Sequence, residues 1–220
     1  MKLNLSPSMM LADFLNLESD MNALYEAGCH SYHIDVMDGN YVPNITLGMM
    51  DIAAMNKVAK IPLEIHLMVN EPSNVLDLFN LENVSTIMVH PEICTHLHRT
   101  LIKIKSMNKR VGLVINPSTP LSFVEEVIEE LDCVMLMSVN PGYAGQTFIE
   151  SSYIKLERLK SLIDSYKKDI EILVDGSIST KNINKLYELG ATGFILGSAS
   201  IFRNNRDYKN NLKELIGSFK

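Results

Sequence analysis

The sequence predicts a single (β/α)₈ barrel domain over residues 1–220, because short apolar segments alternate with helical segments along its whole length. Eight apolar segments have the length of β-strands, namely residues 3–8, 31–37, 62–69, 85–90, 110–116, 133–139, 170–176 and 193–199. Each of them is followed by a stretch that is compatible with a helix. The strands are almost continuously apolar, which is typical of a parallel sheet that is covered on both faces.

The clearest helical segments follow the fifth, sixth and seventh strands. Residues 122–131 and 152–166 carry apolar side chains at helical spacing. Residues 179–190 begin with a Ser-Thr pair suited to an N-cap and end at Gly190. A doubly wound open sheet would show the same alternation, but it usually has fewer strands.

Composition narrows the class of protein. Hydrophobic residues make up 46% of the chain, charged residues 21%, and the net charge is −6, so nothing favours nucleic acid or an anionic membrane as a partner. No apolar run approaches the roughly 18 residues of a membrane span, and the N-terminus has no signal-peptide pattern. Cys29, Cys94 and Cys133 are too scattered for a disulfide framework or a metal knuckle. We expect a cytoplasmic protein with reduced thiols.

Polar side chains occur where several predicted strands end. The segment SYHIDVMDGNYVPN places His33 and Asp35 on one face of the second strand, because alternate residues of a strand share a face. His66 ends the third strand, Asp175 ends the seventh, and Ser8 ends the first. Because a barrel gathers the carboxyl ends of its strands at one mouth, we expect these side chains to converge there.

The converging histidines and aspartates predict a metal site. Burial of two carboxylates and two imidazoles without partners would be costly, and a divalent cation removes that cost by accepting deprotonated ligands. Two histidines and two aspartates suit zinc, and also iron(II), manganese or cobalt. Taken singly, each residue is more often a hydrogen-bonded structural residue. His90 also ends a strand, but its direction is open, and we expect a structural or outer-shell role for it.

Loops rich in small residues follow the last three strands, at residues 140–148, 175–177 and 196–199. Small residues let backbone N–H groups approach an anion, and helix N-termini favour phosphate. Phosphate binding after the seventh and eighth strands is a recurring property of barrels. We therefore expect a phosphate site formed mainly by the backbone amides of these three loops.

The two aspartates suggest a reaction. The second and seventh strands lie three steps apart around an eight-stranded barrel, so Asp35 and Asp175 can face each other across the mouth. A metal beside a carbonyl oxygen stabilises the enediolate that forms when the neighbouring carbon loses its proton. Removal of that proton by one aspartate and its return to the opposite face by the other would invert a stereocentre next to a ketone. No organic cofactor is needed.

The sequence resembles ribulose-phosphate 3-epimerases and the closely related allulose-6-phosphate 3-epimerases. The resemblance lies in SPS, HIDVMDGNYVPNITLG, IHLMV, VGLVINPSTP, MSVNPGYAGQTFI, VDGSI and LGSASIF, which run in order along essentially the whole chain. It implies metal ligation by His33, Asp35, His66 and Asp175, with Asp35 and Asp175 as the acid–base pair. It also implies substrate contacts from Ser8, His66 and Asp175, and an apolar wall of Met37, Met68 and Met137. The residues that it implies for phosphate binding lie in the three glycine loops: Gly142, Tyr143, Ala144, Gly145, Gly176, Ser177, Gly197 and Ser198.

The resemblance implies conversion of D-ribulose 5-phosphate to D-xylulose 5-phosphate, a reaction of the pentose phosphate pathway, by a homo-oligomer. Interconversion of D-allulose 6-phosphate and D-fructose 6-phosphate is the alternative. Ala144-Gly145 and Gly176-Ser177 replace the Gly-Gly pairs usual in the pentulose branch, whereas residues 94–101 and 137–142 resemble that branch.

Three other functions fit the chain less well. A barrel hydrolase usually carries a His-x-His pair on its first strand, and a phosphate-assisted decarboxylase carries lysines at its strand ends; the sequence has neither pattern. A non-catalytic sugar-phosphate sensor is also compatible with the glycine loops, but it would have no use for two opposed carboxylates.

Overall fold

The computed structural model describes residues 3–219, in which the strands form one curled sheet that closes into a barrel. The sheet order is β1-β9-β8-β7-β6-β5-β4-β2-β3, and a parallel bridge between Ser8 and His33 joins the two ends of the barrel. All pairings are parallel except that of the short β3 with β2, so the predicted eight-stranded parallel barrel is confirmed. The strands are β1 Asn4–Pro7, β2 Tyr32–Asp38, β3 Ile45–Thr46, β4 Leu63–Met68, β5 Val84–Val89, β6 Arg110–Ile115, β7 Cys133–Met137, β8 Glu171–Asp175 and β9 Gly193–Leu196.

Helices follow the barrel strands, with one exception. They are α1 Leu17–Ala27, α2 Met49–Val58, α3 Leu97–Ser106, α4 Ser122–Val127, α5 Ser152–Ser165, α6 Ile183–Glu188 and α7 Tyr208–Ile216. Between β4 and β5 the chain forms only short 3₁₀ helices, Pro72–Asn74 and Leu76–Phe79. The predicted N-cap of α6 also shifts, because Asn182 rather than the Ser-Thr pair precedes the helix and accepts from the Ser179 amide at 2.8 Å. Within residues 3–219, no helix combines the length and the apolar character needed to cross a bilayer.

The barrel strands bury both faces, but the two faces differ in chemistry. Outward side chains such as Ile34, Val36 and Ile65 pack in the large apolar layer between the sheet and the helices. Inward side chains of β5 to β9 form a second apolar cluster, which consists of Met88, Val114, Cys133, Met135, Met137, Val139, Leu173 and Ile195. Inward positions of β1, β2 and β4 instead carry buried polar groups: Ser6, His33, Asp35, Glu64 and His66. One side of the barrel interior is therefore apolar and the other is polar.

The three cysteines are free, as expected from their spacing. Cys29 and Cys133 are buried, and Cys94 is partly buried. Burial raises the pKa of the Cys29 and Cys94 thiols to about 12 and raises the pKa of Cys133 further. These thiols are therefore protonated at neutral pH and belong to the packing of the barrel.

Gly112 on β6 tests the packing of the apolar interior. A Cβ atom at this position would lie 2.3 Å from Cγ of Met88 and 3.0 Å from Sγ of Cys133. We expect Gly112→Ala to lower the free energy of unfolding by about 1–3 kcal/mol, measured by urea denaturation. Met88→Ala vacates that space, so the double variant should be clearly more stable than the sum of the two single effects. Strict additivity would contradict the close approach of Gly112 and Met88.

Candidate active site

The mouth of the barrel brings together the four predicted metal ligands. His33 and Asp35 lie two residues apart on β2 and share its inward face. His66 on β4 is the register partner of Asp35, and Asp175 is the last residue of β8. Each of the four residues offers one donor atom, and these atoms all lie within 4.8 Å of one another. Residues from three separate strands thus meet at one point.

The carboxylate of Asp35 lies at the centre of this cluster. Its Oδ1 lies 3.0 Å from Nδ1 of His66 and 3.3 Å from Nε2 of His33. Its Oδ2 accepts a hydrogen bond of 2.5 Å from Oγ of Ser8. Thr46 on β3 donates its hydroxyl to the backbone carbonyl of Asp35, also at 2.5 Å. Both the side chain and the backbone of this buried aspartate are therefore fixed.

The protein's own groups move the two carboxyl pKa values in opposite directions. Burial acts to raise the pKa of Asp35, but the charge of nearby His33 and the hydrogen bond from His66 outweigh burial and hold this pKa well below its usual range. Burial, reinforced by the charge of Asp35, raises the pKa of Asp175 to about 7. For His33, burial is outweighed by the charge of Asp35, which raises the imidazole pKa to about 9.

The donor set fits a divalent metal ion. His33 is fully buried, and neither of its ring nitrogens has a hydrogen-bond partner among the described residues. A buried polar atom without a partner is costly, and a metal ion is one way to satisfy it. Two imidazole nitrogens and two carboxylates are a ligand set that zinc, iron(II), manganese or cobalt accepts. His33, Asp35, His66 and Asp175 could hold such an ion.

A cavity of about 220 Å³ opens beside the cluster. Ser8, Asp35 and Asp175 line it, and so does the predicted apolar wall of Met37, Met68 and Met137. Met37 and Met68 are register partners on β2 and β4, and Met137 pairs with Asp175 on the other side. His33 and His66 are fully buried and do not line this cavity, so they lie behind its wall.

The three glycine loops form the other side of the same cavity, and all eight residues that we predicted for phosphate binding line it. Gly176 has a φ of 124°, and a Cβ atom there would lie 2.8 Å from the backbone nitrogen of Val139, so this position requires glycine. Ser177 adopts a left-handed φ of 54°. At Gly197 a Cβ atom would meet only Leu11, at 3.8 Å, which leaves open space beside the backbone.

Some cavity residues escape sequence reasoning. Met10 and Leu11 reach the cavity from a 3₁₀ helix after β1, Met9–Leu11, which has no periodic signal. Val139, Ile178 and Ile195 also line the cavity and were not predicted, whereas Asn140, Pro141, Gln146 and Ala199 belong to the predicted glycine loops. Asp38 stays outside the cavity, and its Oδ1 accepts hydrogen bonds from the amides of Asn40 and Tyr41, so it stabilises the turn after β2.

The fold and the site together define a barrel enzyme with paired carboxylates at the carboxyl ends of its strands. The family model described as "Ribulose-phosphate 3 epimerase family" matches residues 4–202. Ribulose-phosphate 3-epimerase of Bacillus subtilis is 39% identical over 217 residues, covering 98% of this chain and 99% of its own. The enzyme of the same name from Escherichia coli is 40% identical over 212 residues, covering 96% and 93%. The chain belongs to the ribulose-phosphate 3-epimerase family and is an isomerase of the epimerase class.

More distant solved structures share the fold alone. A mutant tryptophan synthase α-subunit from Pyrococcus furiosus superimposes with a TM-score of 0.72 at 17% identity, covering 99% of this chain and 100% of its own. Phosphoribosyl anthranilate isomerase from Thermococcus kodakaraensis gives a TM-score of 0.67 at 11% identity, with 98% of each chain covered. These similarities support the barrel architecture.

The donor cluster predicts metal content. We expect the purified protein to carry about one transition-metal ion per chain, and His66→Ala to lose most of it, because four donors in one compact site bind far better than three. Elemental analysis by mass spectrometry measures this directly. His98→Ala is the matched control, because the His98 side chain is 66% exposed on α3 and should leave the metal content unchanged. An active preparation without transition metal would contradict the site.

Proposed function

We propose that this protein inverts carbon 3 of a ketose phosphate, D-ribulose 5-phosphate, to give D-xylulose 5-phosphate. The observation that carries the proposal is the convergence of two aspartates and two histidines beside a cavity whose other side consists of glycine loops. The membership in the ribulose-phosphate 3-epimerase family supports the choice of substrate. In this proposal residues 1–220 act as one catalytic domain.

The chemistry follows from the two aspartates. One carboxylate removes the proton from carbon 3, and the electron pair of that C–H bond moves toward the neighbouring carbonyl to give an enediolate. The other carboxyl group returns a proton to carbon 3 from the opposite face. The protein's own groups lower the pKa of Asp35 and raise that of Asp175, so Asp35 is assigned as the base and Asp175 as the acid for one direction of the reaction. The reverse reaction exchanges these roles.

The other residues bind and orient the substrate. A divalent cation held by His33, Asp35, His66 and Asp175 would stabilise negative charge on the substrate's oxygen atoms. Ser8 holds Asp35 in place through its hydroxyl and lies on the cavity wall, where it can also contact the sugar. Met37, Met68 and Met137 exclude water from the reacting carbon without offering competing proton donors.

The phosphate group would lie against the glycine loops. The positive φ values of Gly142, Gly145 and Gly176 allow successive backbone amides of these loops to point toward one anion. Their placement about the same cavity as Asp35 and Asp175 supports one ligand that spans both groups.

The homo-oligomeric state and the cytoplasmic location expected from the sequence remain predictions.

The substrate assignment is tested by kinetic assays on metal-reconstituted protein. We expect kcat/KM for ribulose 5-phosphate to exceed that for allulose 6-phosphate, and to exceed that for unphosphorylated ribulose by at least tenfold, about 1.4 kcal/mol of transition-state stabilisation. A preference for allulose 6-phosphate would instead assign the hexulose branch, which Ser177 suggests. Equal turnover of phosphorylated and free ketose would contradict the phosphate site. Binding without exchange of the carbon-3 proton in D₂O would identify a sensor.

The two-base assignment is tested by Asp35→Asn and Asp175→Asn. Asparagine keeps the size of the side chain and an oxygen but cannot exchange a proton, so each change should lower turnover by about 10²–10⁴. In D₂O, Asp175→Asn should still introduce deuterium at carbon 3 of the epimer whose proton faces Asp35, while the inverted product fails to accumulate. Asp35→Asn should show the same behaviour with the other epimer.

Two controls make this comparison decisive. Metal content must be measured in both variants, because both residues are also proposed ligands. Asp164→Asn, on the exposed surface of α5, should leave turnover unchanged. A variant of Asp35 or Asp175 that keeps its metal and epimerises at nearly the wild-type rate would require a different proton carrier.

A further inference from the structure

His90 is a buried histidine that lies outside the group of four candidate ligands. It follows the last residue of β5, is fully buried, and its Nε2 lies 2.8 Å from Nε2 of His66. We propose that His90, backed by Glu92, is a positioning residue that fixes the tautomer and the ring orientation of His66 and thereby strengthens binding of the divalent ion. The proposal rests on the metal site of the proposed function.

The hydrogen positions follow from the chemistry of a ligand imidazole. Nδ1 of His66 faces Asp35 at 3.0 Å and is the nitrogen on the side of the ligand cluster. A nitrogen that binds a metal cannot carry a proton, so the proton of neutral His66 must be on Nε2. That N–H then donates to Nε2 of His90. The proton of neutral His90 is consequently on its Nδ1.

The carboxylate of Glu92 lies close to this proton. Its Oε2 is 3.8 Å from Nδ1 of His90, and Nδ1 has no hydrogen-bond partner among residues 3–219. The distance exceeds that of a direct hydrogen bond, so the carboxylate acts on His90 through its negative charge. The interactions thus form a chain from Glu92 through His90 and His66 to the metal site. This chain extends the common carboxylate–histidine–metal arrangement by one imidazole.

The carboxylate of Glu92 is anchored from the opposite side. It accepts hydrogen bonds from the hydroxyl of Thr119 and from Nδ2 of Asn116, the latter at 3.1 Å. The loop that carries both residues is held by Lys155 of α5, whose Nζ donates to the backbone carbonyl of Asn116 at 2.7 Å and also to that of Thr119. Glu92 therefore has little freedom to move away from His90.

The His90 ring also packs against the ring of Tyr41. The ring of Tyr41 lies 5.0 Å from it, centroid to centroid, and the Tyr41 hydroxyl accepts from Nδ2 of Asn116 at 2.6 Å. If His90 served only to fill space, an apolar side chain would do so without burying two ring nitrogens. The hydrogen bond with His66 requires an acceptor at this position, and the imidazole of His90 supplies it.

The first test compares His90→Gln with His90→Leu. The Oε1 atom of glutamine can occupy the position of Nε2 and accept from His66, whereas leucine fills similar space without an acceptor. We expect His90→Leu to weaken Zn²⁺ binding by about 10–100-fold, measured by competition with a chelator of known affinity, and His90→Gln to recover most of the loss. Glu92→Gln should fall between the wild type and His90→Leu, and its partly exposed position keeps it outside the core.

The second test reads the tautomers directly. In the Zn²⁺-loaded wild-type protein, ¹⁵N spectra of the histidine side chains should show His66 protonated at Nε2 and His90 protonated at Nδ1. His98→Leu is the matched control, because His98 also faces a glutamate, Glu130 at 3.9 Å, but on the surface. It should change neither the zinc affinity nor these two signals.

The outcomes separate this proposal from the proposed function. If the wild-type protein binds no divalent ion, the metal site itself is wrong. If the wild-type protein binds Zn²⁺ and His90→Leu binds it equally well, or if His90 carries its proton on Nε2, the positioning role is wrong while the metal site stands. Equal losses in His90→Gln and His90→Leu would also overturn it, because they would reduce His90 to a packing residue.

Discussion

The arrangement of polar side chains at the mouth of this barrel depends on one buried carboxylate, that of Asp35. Asp35 is only 4% exposed, and a charge in that position is tolerable only if neighbouring groups compensate for it. The compensation comes from three directions: Ser8 on the segment after β1, His33 on its own strand, and His66 on the next strand. Each of these groups is fixed by strand register. The closure of the barrel between Ser8 and His33 is thus also the step that completes the shell around Asp35.

The fold and the central cluster could be predicted because they follow from periodicity. A parallel strand fixes which residues share its inner face, so the spacing of His33 and Asp35 was enough to place them together, and a barrel brings the ends of β4 and β8 to them. The short strand β3 and the 3₁₀ helices after β4 carry no such period. Thr46, which binds the backbone of Asp35, therefore escaped prediction.

His90 shows why the surroundings of the site are harder to predict than the four candidate ligands. It follows β5 directly and precedes Pro91, so the strand pattern ends where its direction would have to be decided. Its contact with His66 depends on the register of β5 against β4, in which His66 pairs with Met88, two residues before His90. That register includes an irregularity at Leu63 and Glu64. Pairing between strands is a property of the tertiary structure, and one sequence does not encode it in any local pattern.

The division of the barrel interior explains how two aspartates at one site differ. Asp35 belongs to the polar side, where imidazoles and a hydroxyl surround it, whereas Asp175 lies between Met137 and Ile195 on the apolar side. Among apolar side chains, a carboxylate loses its hydration and gains no hydrogen bonds in return. Its charged form is therefore destabilised relative to the neutral acid. The polar side has the opposite effect on Asp35. A difference in proton affinity between two chemically identical side chains thus arises from which strands of the barrel carry apolar residues inward. The proposed acid–base chemistry at the mouth therefore depends on packing that extends down the barrel interior.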